Sequence, residues 1–171
     1  LCLVHWPNPG QGRYVEAFEG LVKLQQAGLV RAIGTSNFKP THLQSLFDAG
    51  LCPQVNQIHL DPWHARADHV EVHEARGIVT ESWSPLGRAN AMLADPALVD
   101  VARHYGRSPA QIILRWHTQL GYVPVPKSSN PERLAQNLDV FDFELTAEEL
   151  AAISALDRPD PEMLDSDVFG H

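Results

Sequence analysis

The sharpest chemical signal in the sequence is Lys127-Ser128-Ser129, followed by the helix-opening pair Asn130-Pro131 and by Arg133 in the first turn or so. A helix N-terminus presents free backbone N–H groups and the positive end of the helix dipole, so it favours a phosphate. Lys127 and Arg133 add charge there, and an arginine engages phosphate bidentately. On local grounds the same residues read equally well as a solvated lysine and arginine near a helix end. A second set is Ser36, Asn37 and Gln57, whose hydroxyl and amide groups suit a planar carboxamide with its one acceptor and two donors. Loop caps and turn formers are the commoner use of such residues. Trp83 either stacks on a flat ring or fills core. His5 either donates to a substrate carbonyl from a neutral imidazole or serves the structure alone. The rival histidine constellation is His59, Asp61, His64, His69 and His73, in which His69 and His73 have the i, i+4 spacing of metal ligands on a helix. No His-Glu-x-x-His accompanies them, and their helix is expected on the outside of the fold, so the expectation is that no metal is bound.

These groups need elements that bring them together. Apolar, β-branched runs predict strands over 1–5, 30–34, 54–58, 78–82 and 122–126. Helical patterns cover 14–27, 41–49, 65–75, 96–104, 109–119 and 131–137, and a last helix starts at Thr146, which forms a capping box with Glu149. The tail 157–171 is expected to wrap the surface irregularly. Strand alternating with helix implies a parallel sheet, because parallel neighbours need a crossover. Five such units suit an open doubly wound sheet or the last five units of an eight-fold barrel. The chain opens on Leu1 inside an apolar run, so three further units of about 30–35 residues are expected ahead of it, which brings the length to the ~250 residues of a barrel. A targeting segment upstream stays open. In either fold ligands bind at the carboxyl ends of the strands, and there lie His5-Trp6, Ser36-Asn37, Gln57, Trp83-Ser84 and Lys127-Ser128-Ser129.

Composition narrows the classes. With 171 residues, 44% hydrophobic and 20% charged, the chain suits one globular domain spanning 1–171. A formal net charge of −8 argues against a nucleic-acid partner. No apolar run approaches the ~20 residues of a membrane span. Cys2 and Cys52 are too few for a disulfide framework, and a reducing cytoplasm fits.

Taken in order, Leu3-Val4-His5-Trp6-Pro7, the run from Gly28 to Phe38, Val55-Asn56-Gln57, Trp83-Ser84-Pro85-Leu86-Gly87, Ser108-Pro109-Ala110-Gln111 with Leu114-Arg115-Trp116, Pro126-Lys127-Ser128 through Arg133 to Asn137, and Asp139-Val140-Phe141-Asp142-Phe143 resemble the aldo-keto reductases over nearly the whole chain. The Trp83 form is most similar to bacterial members related to 2,5-diketogluconate reductase. The resemblance implies an incomplete (β/α)8 TIM barrel containing strands four to eight. It also implies NADPH-dependent reduction of a small aldehyde or ketone by a cytoplasmic, monomeric parent. His5 would orient and polarise the carbonyl, with Trp6 on the substrate pocket wall. Ser36, Asn37 and Gln57 would hold the nicotinamide carboxamide, and Trp83 would stack on its ring. Ser84 and Leu86 would meet the pyrophosphate, and Lys127, Ser128, Ser129 and Arg133 the 2′-phosphate. Gln136 and Asn137 would reach the adenine. The family's proton-donating tyrosine, with its aspartate and lysine partners, matches no position here, so residues 1–171 alone are expected to be inactive. The alternatives are a non-catalytic nucleotide-binding barrel and a metal-dependent hydrolase. Two departures stand out: His59-Leu60-Asp61-Pro62 where many relatives continue Glu-x-His-Pro, and Gln136 where Glu is frequent.

Overall fold

All five apolar runs become strands in the computed structural model, which describes residues 1–87, 91–160 and 163–170. They are β1 (Cys2–Val4), β2 (Ile33–Ser36), β3 (Val55–His59), β4 (Val79–Trp83) and β5 (Val123–Val125), and they hydrogen-bond in chain order. The pairs β1/β2 and β2/β3 are parallel, with Leu3 opposite Gly34 and Ser36 opposite Gln57. Helices alternate with them: α1 (Tyr14–Gln26), α2 (Pro40–Asp48), α3 (Ala67–Arg76), α4 (Pro96–Tyr105), α5 (Pro109–Gln119), α6 (Pro131–Leu138) and α7 (Ala147–Ser154). The expected parallel α/β architecture is therefore the one adopted. Among the described residues, no helix is long and apolar enough to cross a membrane.

The main difference from expectation is β2, which runs over Ile33–Ser36 rather than 30–34. Residues after α1 are still closing that helix, because the Leu29 N–H returns to the Leu24 carbonyl. Pairing begins only where Ile33 lies opposite Cys2. The shift carries Thr35 and Ser36 into the strand, where both are buried. Short 3-10 turns at Pro9–Gln11 and Ala91–Ala94 were not foreseen, being too brief to show a period. The capping box of Thr146 and Glu149 forms as expected. In the tail, residues 163–170 hold neither helix nor strand, while 161–162 and 171 lie outside the described residues.

The chain divides into two compact units, one of residues 1–58, 66–81 and 161–171 and the other of residues 59–65 and 82–160. In the first, Phe18, Ile33, Phe38, Leu43, Leu46 and Ile78 form a buried cluster against which Tyr14, Val15, Leu21 and Val22 of α1 pack. The apolar face of α1 thus has the helical spacing that its sequence shows. In the second, Leu98, Ile112, Ile113, Leu114, Trp116 and Ile153 are buried. There the Trp116 indole N–H donates to Ser154 Oγ at 3.0 Å.

Gly34 sets how closely β2 can approach its neighbours. A Cβ on Gly34 would lie 2.4 Å from the Val55 carbonyl oxygen and 2.8 Å from Leu3 Cδ2. Backbone cannot yield as a side chain can, so Gly34→Ala is expected to cost about 1–3 kcal/mol, the range for overpacking. Urea denaturation checks this, and an unchanged midpoint would contradict it.

Candidate active site

The register of β2 on β3 places Thr35 beside Asn56 and Ser36 beside Gln57. Successive side chains leave a strand on opposite faces, so two separate polar groups result. Thr35 and Asn56 are buried. The Thr35 hydroxyl donates to Asn56 Oδ1 at 2.9 Å, and Asn56 Nδ2 donates to the Phe38 carbonyl at 2.9 Å and to His73 Nε2 at 2.9 Å. His73 Nδ1 then donates to Thr80 Oγ1 at 2.8 Å, which fixes a neutral imidazole.

The second group holds the residues singled out for a carboxamide. The Ser36 hydroxyl donates to the Gln57 carbonyl at 3.0 Å. Asn37 Nδ2 donates to Ser36 Oγ and to the His5 carbonyl, each at 3.1 Å. The Asn37 N–H donates to the Gln57 carbonyl at 2.8 Å. Gln57 Nε2 donates to Glu81 Oε2 at 2.8 Å. Asn37 sits in the left-handed region at φ 62, which asparagine tolerates better than most residues. Ser36, Asn37 and Gln57 are thus brought together and pre-oriented, with the backbone of His5 joined to them. Glu81 is a member that sequence reasoning missed; its position on β4 was the only available signal.

The His5 side chain is exposed at the end of β1. Its ring lies 5.9 Å from that of Trp6, and Phe169 meets Trp6 edge-on at 5.0 Å. His5, Trp6, Val168, Phe169 and Gly170 line a cavity of about 400 Å³. The tail that forms one wall is tied down by acidic residues. Lys39 pairs with Asp165 and Asp167, and His42 Nε2 lies 2.9 Å from Asp167 Oδ1. Burial holds the His42 imidazole below its ordinary value, with Asp167 opposing. The arrangement offers an imidazole beside an aromatic wall, suited to a small polar group on an apolar body.

In the second unit, Trp83 ends β4 and stacks on His59, with centroids 4.4 Å apart and planes at 14°. The turn that follows is closed by the Gly87 N–H donating to the Ser84 carbonyl at 2.9 Å. Ser84 has φ 50, a left-handed conformation that costs a non-glycine residue about 1–2 kcal/mol. Strain of this kind concentrates at ligand sites. Leu86 is half-buried beside it.

At the start of α6, Asn130 Oδ1 caps the helix by accepting the Arg133 N–H at 3.0 Å. Ser128 Oγ accepts the Asn130 N–H at 3.1 Å and has Arg133 Nε at 3.5 Å. Ser128 and Arg133 are therefore drawn together at the helix N-terminus, with Lys127 and Ser129 exposed next to them. Gln136 is exposed further along α6, whereas Asn137 lines an apolar cavity of about 630 Å³ with Leu114, Tyr122, Pro124, Leu138 and Phe141 among its neighbours.

The histidine constellation separates into two sets. His73 has both ring nitrogens engaged as described. His69 has Nδ1 at 2.9 Å from Asp68 Oδ1 and Nε2 at 2.7 Å from Arg66 Nη2. Their i, i+4 spacing serves packing of α3, and both are buried. His59, the last residue of β3, gathers with Asp61 and His64 of the loop that follows.

Comparison with known proteins gives consistent matches. The profile described as Aldo/keto reductase family matches residues 1–158. The chain is 47% identical over 159 residues to 2,5-diketo-D-gluconic acid reductase B of a Corynebacterium species, covering 92% of this chain and 57% of that protein. It is 43% identical over 172 residues to methylglyoxal reductase DkgA of Escherichia coli, covering 99% of this chain and 62% of that one. Among solved structures, apo Gox0644 superposes with a TM-score of 0.95 at 46% identity, covering 99% of this chain and 63% of its own. A Gox0644 mutant in complex with NADPH gives a TM-score of 0.94 with the same identity and coverage. The chain thus spans about 57–60% of the length of the first curated relatives it matches.

Proposed function

The chain belongs to the aldo/keto reductase family, and from that premise we propose that it contributes the cofactor-holding part of an NADPH-dependent reductase of small aldehydes and ketones. The observation that carries this reading is the hydrogen-bonded set of Ser36 and Asn37, at the end of β2, with Gln57 on the neighbouring β3. A primary carboxamide needs one donor and two acceptors from its site. Gln57 commits Nε2 to Glu81 and so can offer Oε1 to the carboxamide N–H groups, and the Ser36 hydroxyl or Asn37 Nδ2 would turn from its present partner to donate to the carboxamide oxygen. Trp83, held flat by His59, suits the nicotinamide ring, and the strained turn at Ser84 with Leu86 suits the pyrophosphate. Lys127, Ser128, Ser129 and Arg133 would hold the 2′-phosphate, and Gln136 and Asn137 would face the adenine. When bound, the dihydronicotinamide supplies the hydride for carbonyl reduction. His5 donates its ring N–H to the substrate carbonyl oxygen and so favours negative charge building there. Trp6 and Phe169 form an apolar wall that limits water around that oxygen. The names of relatives reducing 2,5-diketogluconate and methylglyoxal, and the NADPH complex of Gox0644, support the reaction class. We propose further that the family's tyrosine proton donor has no counterpart in residues 1–171, and that these residues alone do not turn over.

The test is cofactor discrimination. Arg133→Ala is expected to weaken NADPH binding by about 1.5–3 kcal/mol, the range for charge-assisted hydrogen bonds. NADH, which lacks the 2′-phosphate, should change far less. Fluorescence titration with both cofactors measures this, and equal losses would remove Arg133 from the site.

A further inference from the structure

The end of β3 and the loop after it carry a second constellation, of which the reductase reading uses only the His59 ring stacked on Trp83. We propose that His59, Asp61 and His64 form a divalent transition-metal site of the zinc class, with His59 Nε2, Asp61 Oδ2 and His64 Nδ1 as protein ligands and a further position open to solvent. Among the described residues these three donors form a set lying within 4.8 Å of one another. The proposal departs from the expectation, drawn from sequence, that no metal is bound, and it does not depend on the reductase reading.

Two buried atoms point to an occupant. His59 Nε2 and Asp61 Oδ2 face each other as a poorly aligned ion pair, and neither makes a well-formed hydrogen bond to any described residue. They lie 3.3 Å apart, and the Asp61 side chain is only 1% exposed. A carboxylate oxygen so poorly partnered at such burial is costly. Ligands at the ~2.0–2.2 Å bond lengths of tetrahedral zinc stand about 3.3–3.6 Å from each other, so the two atoms already have the spacing of a tetrahedral edge.

His64 supplies the third ligand and the outer support. Its Nδ1 lies 2.8 Å from Asp61 Oδ1, and its Nε2 lies 3.1 Å from Asp160 Oδ2. A neutral imidazole carries one proton and cannot donate to both carboxylates. With an ion on Nδ1, the ring keeps its proton on Nε2 and donates it to Asp160. That is the carboxylate–histidine–metal arrangement that orients ligating histidines. Asp61 Oδ1 then retains the Trp63 N–H at 2.9 Å.

The frame is fixed before any ion arrives. Asp61 and His64 bridge through their backbones, with the His64 N–H donating to the Asp61 carbonyl at 2.9 Å. Trp63 is buried between them in sequence and carries the Arg158 guanidinium 3.3 Å over its ring. His59 is held by its stack on Trp83. The side chains of His59 and Asp160 are 15% and 32% exposed, which provides an entry path. Two imidazoles and one carboxylate suit zinc, cobalt, nickel or copper, and disfavour magnesium and calcium, which prefer oxygen alone.

The experiment titrates metal-free, purified protein with Co²⁺, followed by its visible absorption, and with Zn²⁺ by calorimetry. One ion per chain is expected, with no heat from Mg²⁺. Asp160→Asn should weaken binding about 10–100-fold, as loss of a histidine's outer partner does, and His59→Gln should weaken it at least as much. His104→Gln, at an exposed histidine on another element, should leave binding unchanged. Circular dichroism confirms that each variant folds, and Asp160→Asn keeps the test valid should His59→Gln misfold. Absence of stoichiometric Co²⁺ or Zn²⁺ binding would overturn the site, as would binding that survives both substitutions or moves only with His104. NADPH titration of the unsubstituted protein and of Asp160→Asn, which keep the His59–Trp83 stack, reads the reductase proposal separately.

Discussion

Acidification from pH 6.5 to pH 4 is expected to remove several kcal/mol of stability, through His69 and His73. Burial pushes His69 down to about 4, with the Arg66 charge adding to the effect and Asp68 opposing it. Burial likewise pushes His73 down to about 4, with His69 next in importance. The hydrogen bonds agree, since Asn56 Nδ2 donates to His73 Nε2 and leaves that nitrogen no room for a proton. In the unfolded chain both imidazoles return to about 6.5. The stability is therefore complete above pH 6.5. It falls as pH drops, because only the unfolded state takes up protons, and it levels off below about pH 4, where the folded state is protonated too. At about 1.4 kcal/mol per pH unit each imidazole is worth roughly 3 kcal/mol across that window. The rings stand 6.4 Å apart and titrate as a pair, so about 5 kcal/mol is expected for both. That rivals the whole stability of many domains. Asp61, which its histidine neighbours hold below the usual carboxylate range against the effect of burial, adds a loss only at still lower pH. Urea midpoints at pH 7.5, 6, 5 and 4 check the window. A flat profile between pH 6.5 and 4 would show that these imidazoles are not buried and neutral.

The sequence makes the alternation of strand and helix plain, because period and punctuation are local properties. α5 with its Ser108–Gln111 capping box and α7 with Thr146–Glu149 stand where their residues place them. Sequence cannot show what register creates. Thr35, Asn56, His73 and Thr80 come from β2, β3, α3 and β4, and only pairing of those elements makes them one network. The i, i+4 spacing of His69 and His73 correctly put both on one face of α3 and said nothing of what that face meets. Glu81 as the partner of Gln57 and Phe169 against Trp6 depend in the same way on distant segments. The His59–Trp83 stack does too, and it could not be read from a motif in which His59 and Asp61 depart from the family's usual residues. That Ser36, Asn37 and Gln57 would lie near one another was legible because each stands at or within two residues of the carboxyl end of a strand, where the fold class directs a ligand.

His5→Ala, made in an active reductase that carries this chain, is expected to lower kcat by about 10²–10⁴, the span of a positioned acid–base group. The substitution is clean for a structural reason. Asn37 Nδ2 holds the backbone carbonyl of His5, not its ring, so the Ser36–Asn37–Gln57 set survives loss of the imidazole. The ring itself is exposed beside Trp6, in the cavity bounded by Val168, Phe169 and Gly170, and supports no buried core. Its removal should therefore leave NADPH affinity and urea stability nearly unchanged while carbonyl reduction slows. A glutamine at this position retains an N–H donor of similar reach, so His5→Gln should recover part of the loss if hydrogen bonding to the carbonyl is what the ring contributes. Steady-state kinetics with an aldehyde substrate, alongside cofactor titration, separate these effects. Near-normal kcat in His5→Ala would return His5 to a structural part. A parallel fall in cofactor affinity would instead show that the imidazole helps to hold the nicotinamide end.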